Sequence, residues 1–118
     1  MKDLAPSIYR QRLVIEGIYT VQITPQLLEE YMHGLSSEMK MTIVYGPIVQ
    51  NLAERINPVH KGYEAIMIWA ASGASVYTWD MGNFFTVDIY TCTKFDPLHA
   101  VKFTESFFHT KEIVFKEV

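Results

Sequence analysis

Four residues able to form covalent bonds or move protons stand in one short stretch, Glu64 to Cys92, which reads EAIMIWAASGASVYTWDMGNFFTVDIYTC. Ser72 brings a hydroxyl nucleophile. It opens a Ser-Gly-Ala-Ser segment, residues 72–75, too small and too polar to be chosen for filling a core. Cys92, the one cysteine of the chain, closes the stretch with a thiol. A free cysteine is otherwise common as a small buried hydrophobe. Glu64 interrupts an apolar run, where a buried carboxylate is costly unless it is paired. It lies eight residues before Ser72, so in one continuous strand the two side chains face the same side. Tyr77 adds a phenol to a run that otherwise reads as strand. A small, nucleophile-bearing turn between two buried strands is a place for a site.

The elements that must hold these residues follow from pattern. Apolar residues over Arg12 to Ile23 predict a strand, with a bend at Gly17. Thr24-Pro25 starts a helix, Thr as cap and Pro in the first turn, and Leu27, Leu28, Tyr31, Met32 and Leu35 recur at helical spacing. Met41 to Tyr45 predicts a strand that Gly46-Pro47 breaks or bulges, with Ile48 to Asn51 resuming it. Residues 52–62 read as a loop, the segment expected to move and to cover a ligand. Strands are then expected over 63–71, 75–79 and 84–92, separated by turns at 72–75 and 80–83. Asp96-Pro97 opens a second helix with Leu98, Val101, Phe103, Phe107 and Phe108 as its apolar stripe, and 111–118 closes as a strand. This order implies an α+β two-layer sandwich: a mainly antiparallel sheet with two helices on one face. In the strand 84–92, Phe85, Val87 and Ile89 face the helices. Phe84, Thr86, Asp88, Tyr90 and Cys92 face the other way, a mixture that suits a ligand surface or a subunit interface.

Composition narrows the function. A chain of 118 residues, 49% hydrophobic, suits a single domain over 1–118 with one core. A net charge of -3 without a basic run argues against nucleic acid as a partner. One cysteine excludes an internal disulfide and a cysteine-rich zinc site. His33, His60, His99 and His109 are scattered, so no metal site is expected. The start, MKDLAPSIYRQ, lacks the apolar core of a signal peptide, and no apolar run is long enough to span a bilayer. A cytoplasmic protein without a membrane segment is the expectation.

The stretch Ala71-Ser72-Gly73-Ala74-Ser75-Val76-Tyr77-Thr78-Trp79-Asp80-Met81, followed by Val87-Asp88-Ile89-Tyr90-Thr91-Cys92, resembles the prokaryotic S-adenosylmethionine decarboxylases. Those carry a Glu-Ser-His-Leu-Ser-Ile-His-Thr-Trp-Pro-Glu segment and a later Val-Asp-Val-Phe-Thr-Cys strand, and the spacing from Ser72 to Cys92 matches without a gap. The resemblance implies an S-adenosylmethionine decarboxylase-like fold and self-cleavage before Ser72. That serine becomes a pyruvoyl group, the electron sink for pyruvoyl-dependent decarboxylation of S-adenosylmethionine in polyamine synthesis. It implies that Cys92 returns a proton to the substrate; thiols have an ordinary pKa of roughly 8.5. Four positions depart from the pattern. Ala71 stands where the family has glutamate, Tyr77 where it has the histidine that assists cleavage, Glu64 where it has a second serine, and Met81 where it has a ribose-binding carboxylate. Asp80 adjoins that last position, and Tyr63 is the aromatic candidate for the adenine; these two and Trp79 are the expected substrate-binding residues.

Two alternatives stand beside the family activity. One is an unprocessed lyase that breaks S-adenosylmethionine with Glu64 and Tyr77 as acid and base. The other is a relative that only binds a ligand or a partner subunit as a regulator. A sheet covered on one face only is expected to pair with a second copy, as in the four-layer homodimers of the family.

Overall fold

The computed structural model describes residues 1–51 and 61–118. The chain runs β1 (Gln11–Ile18), α1 (Pro25–Glu38), β2 (Ile43–Asn51), β3 (Tyr63–Trp69), β4 (Ser72–Trp79), a short 3-10 turn (Met81–Asn83), β5 (Phe84–Thr91), α2 (Pro97–Phe108) and β6 (Glu112–Glu117). The strands form one antiparallel sheet in the order β2-β3-β4-β5-β1-β6. Both helices pack on the same face, so the expected two-layer α+β sandwich is the observed architecture.

Both helices begin where the caps stand. The Thr24 hydroxyl accepts the Leu27 N–H at 3.1 Å and the Asp96 carboxylate accepts the Leu98 N–H at 3.0 Å, each followed by proline in the first turn. Leu28, Tyr31, Met32 and Leu35 of α1, with Ala100, Val101 and Phe108 of α2, bury against Leu13, Ile15, Met67, Trp69, Val76, Phe85, Val87 and Ile89 of the sheet. Burying each large side chain contributes about 1.5–3 kcal/mol. Two buried polar contacts tie the elements, one between sheet and α1 and one between the two helices. Trp69 Nε1–H donates to Ser36 Oγ at 2.7 Å, and the Tyr31 and Thr104 hydroxyls meet at 2.9 Å. Burial pushes the Tyr31 phenol well above its ordinary value.

Three boundaries differ from expectation. β1 ends at Ile18 rather than Ile23, because the Tyr19 N–H turns to Asn83 O and the Thr20 N–H to Phe108 O. Gly17 is not a bend: it stays in register with Phe85 and Ile113, and a Cβ there would come within 2.7 Å of the Phe85 ring. The segment 72–75 is not a turn. The chain reverses at Ala70-Ala71, and Ser72 to Trp79 is one strand paired on both sides. Gly46-Pro47 falls inside β2, where the ladder shifts register, as a bulge does. Of the expected loop 52–62, residues 52–60 and any covering role lie outside the described residues. Among the described residues, no helix is long and apolar enough to cross a membrane.

Candidate active site

Ser72 opens β4, opposite Trp69, immediately after the hairpin turn. Ala71, the residue before it, holds φ at 53°, a left-handed conformation that costs an L-residue with a side chain about 1–2 kcal/mol. The peptide between Ala71 and Ser72 is therefore conformationally loaded on one side. Ser72 Oγ accepts the Cys92 N–H at 3.1 Å and points its own hydrogen at Cys92 Sγ, 3.6 Å away. Both side chains are half-buried. The sheet brings them together: β5 runs antiparallel beside β4, with Gly73 opposite Tyr90, so the residue after β5 arrives at the start of β4. Gly73 is required locally, since a Cβ there would lie 2.9 Å from Met67 O.

A cleft of about 640 Å³ opens beside this pair on the sheet face that carries no helices. Ser72, Ser75, Asp88, Tyr90 and Arg12 line it. Asp88 is paired in register with Ser75 on one side and Val14 on the other, and the Arg12 guanidinium sits 4.8 Å above the Tyr90 ring. Asp88 and Tyr90 belong to the mixed face that the alternation of β5 marks in the sequence. Arg12 is the residue that sequence reasoning misses. Only the register Arg12↔Tyr90 reveals it.

The remaining expected site residues gather elsewhere. Glu64 and Tyr77 are direct cross-strand neighbours, so the register does bring that pair together. They sit on the uncovered face, and the reversal at Ala70-Ala71 ends the continuous strand that would have aligned Glu64 with Ser72. Five residues of extended β4 put Tyr77 about 17 Å from Ser72. Trp79 stacks obliquely on Phe84, ring centres 5.4 Å apart, and its carbonyl accepts the Tyr19 hydroxyl at 3.1 Å. Tyr63 packs on the edge of the core, with its N–H bonded to Thr78 Oγ1. Asp80 is exposed just beyond β4. Burial, and then the Asp80 charge, raise the Tyr19 phenol above its ordinary value. Tyr63, Trp79 and Asp80 thus lie at the end of β4 away from Ser72 and Cys92.

A profile described as S-adenosylmethionine decarboxylase matches residues 19–118, most of the chain, including Ser72 and Cys92. The chain belongs to the S-adenosylmethionine decarboxylase family. A solved relative agrees in fold. The crystal structure of the adenosylmethionine decarboxylase from Aquifex aeolicus VF5 superposes with a TM-score of 0.72 at 18% identity, covering 94% of this chain and 89% of that one. No curated protein sequence gives a significant match. The structure holds the Ser72 and Cys92 side chains in contact within the matched range.

Proposed function

We propose that this chain is a decarboxylase of S-adenosylmethionine that cuts itself between Ala71 and Ser72 and serves polyamine synthesis in the cytoplasm. The observation that carries the reading is the Ser72 hydroxyl, hydrogen-bonded to the Cys92 N–H and thiol beside a left-handed Ala71, in a member of this family. Attack of Ser72 Oγ on the Ala71 carbonyl carbon turns the peptide into an ester and frees the Ser72 nitrogen. It also allows Ala71 to leave its left-handed conformation.

The residues present fit a pyruvoyl group at position 72. Ser72 is its source, Cys92 borders it, and the cleft gives a small molecule room beside it. When formed, that group supplies an electron sink for loss of carbon dioxide. Cys92 Sγ delivers the proton that replaces the carboxylate, from the position it now holds against Ser72 Oγ. Asp88 gives the cleft a carboxylate suited to a sulfonium substrate, and Tyr90 and Arg12 line the cleft beside it.

Glu64 and Tyr77 are the candidates for assisting cleavage, and Tyr63, Trp79 and Asp80 for binding the adenosyl end. At about 17 Å and more from Ser72 they cannot serve the same chain's serine. A second copy laid face to face on the uncovered sheet, strands reversed, brings the partner subunit's Glu64 and Tyr77 toward Ser72. This reading makes the working unit a homodimer.

Intact mass under denaturing conditions, fresh and after long incubation, tests the proposal. The expected result is two fragments, 1–71 and 72–118, the second lighter by ammonia than simple hydrolysis gives. One unchanging full-length mass overturns it.

A further inference from the structure

The two edges of the sheet are built differently. β2, at one edge, shifts register twice along β3 and contains Pro47, which has no N–H to offer. β6, at the other edge, pairs with β1 through six consecutive residues, Leu13↔Glu117 to Ile18↔Glu112, without a shift. The Val118 N–H bonds to Arg12 O. Alternation along an antiparallel ladder then turns the peptide groups of 112, 114 and 116 toward β1 and leaves those of Ile113, Phe115 and Glu117 facing outward. Val114 and Phe115 are 56% and 47% exposed. A regular strand with free peptide groups and apolar centre is a template for another strand.

Its sequence fits one partner. Lys111-Glu112-Ile113-Val114-Phe115-Lys116-Glu117 has reversed charge when read backwards. Laid antiparallel on itself about Val114, the strand sets Glu112 opposite Lys116, Ile113 opposite Phe115 and Val114 opposite Val114; Lys111, whose N–H turns inward to Ile18 O, precedes the strand on the side of the second copy's Glu117. Lys116 would ordinarily protect an edge, but here it meets Glu112. The outward peptide groups of Ile113 and Phe115 fall in hydrogen-bonded pairs in this register, as the ladder requires. Shifting by two residues either way places Glu112 or Lys116 opposite Val114, so charge selects the register.

The geometry points to a second copy of this chain as the occupant: β6 pairs antiparallel with β6, centred on Val114, and joins two sheets into one. The contact is separate from the uncovered face and from Ser72, and stands whether or not the chain cleaves itself.

Val114→Cys tests it directly. A pair at the two-fold without hydrogen bonds has Cα atoms about 4.5 Å apart, within the range of a disulfide. Mild oxidation should give a covalent dimer on a non-reducing gel at least about tenfold faster than Lys116→Cys, whose own symmetry mate is out of reach. The unsubstituted chain should give none. Equal rates for the two variants overturn the register. A charge exchange is the second arm. K111E/K116E and E112K/E117K should each weaken edge association by about tenfold or more, and mixing them should restore it, read by sedimentation velocity at low salt. Doubles that associate like the parent, or a mixture that stays apart, overturn the proposal.

Discussion

The two ends of β4 carry different kinds of site. At its start, Ser72 and Cys92 are fixed by one backbone hydrogen bond and one thiol contact, half-buried, beside a left-handed residue and a cleft. At its other end, Glu64 and Tyr77 face each other across the ladder, and Trp79, Tyr63 and Asp80 surround the turn into β5. The first end has a hydroxyl and a thiol in contact, and the second has aromatic rings and carboxylates. In the sequence they look like one motif. An extended strand separates Ser72 from Tyr77, five positions on, by about 17 Å, so under the proposed function a second subunit joins the two half-sites.

The most severe way to break the comparison is Ser72→Ala. Cleavage and decarboxylation should both be abolished, by intact mass and by carbon dioxide release. The lost acceptor for the Cys92 N–H should cost only about 1 kcal/mol of stability by denaturant titration. Cys92→Ala separates the two steps at that end. Cleavage should survive, while turnover falls about 100-fold or more, as loss of a general acid does. Tyr77→Phe tests the other end. Self-cleavage should slow by about 100-fold, measured as fragment appearance with time. Mixing S72A with Y77F should restore cleavage of the Y77F chain, because its Ser72 then faces an intact Tyr77 from the partner. Failure of that mixture would place both ends in separate functions.

The smallest expected effect is electrostatic. The Asp80 charge raises the Tyr19 phenol beyond what burial does, so Asp80→Asn should lower its titration midpoint, read by tyrosinate absorbance. A phenol raised on folding lends stability that is fully present below the unfolded value, about 10, and is lost as pH rises through the folded one. Asp80→Asn should therefore shrink the alkaline loss of stability at this end, which still begins near the unfolded value of about 10.

Much of this was legible locally. Thr24-Pro25 and Asp96-Pro97 start their helices because a capping oxygen and a fixed proline φ act within one turn, needing no tertiary partner. The alternation of β5 sorts Phe85, Val87 and Ile89 to the core and Asp88 and Tyr90 to the open face, because side chains on a strand alternate whatever lies beside it. The Ser72-to-Cys92 interval likewise identified the pair that the fold brings into contact.

What the chain could not announce was pairing. Ser72-Gly73-Ala74-Ser75 has the composition of a turn, yet it is held extended between β3 and β5, whose backbones supply the hydrogen bonds and whose close approach needs Gly73. The reversal falls on Ala70-Ala71, where Ala71 accepts a left-handed φ that its own preference opposes. Arg12 reaches the cleft only because β1 lies beside β5 in one register, across an interval of the chain that no local pattern spans. Residue type and period determined the elements and their faces. The tertiary ladder alone decided which residues became neighbours, because register is set by the fit of whole strands rather than by any one of them.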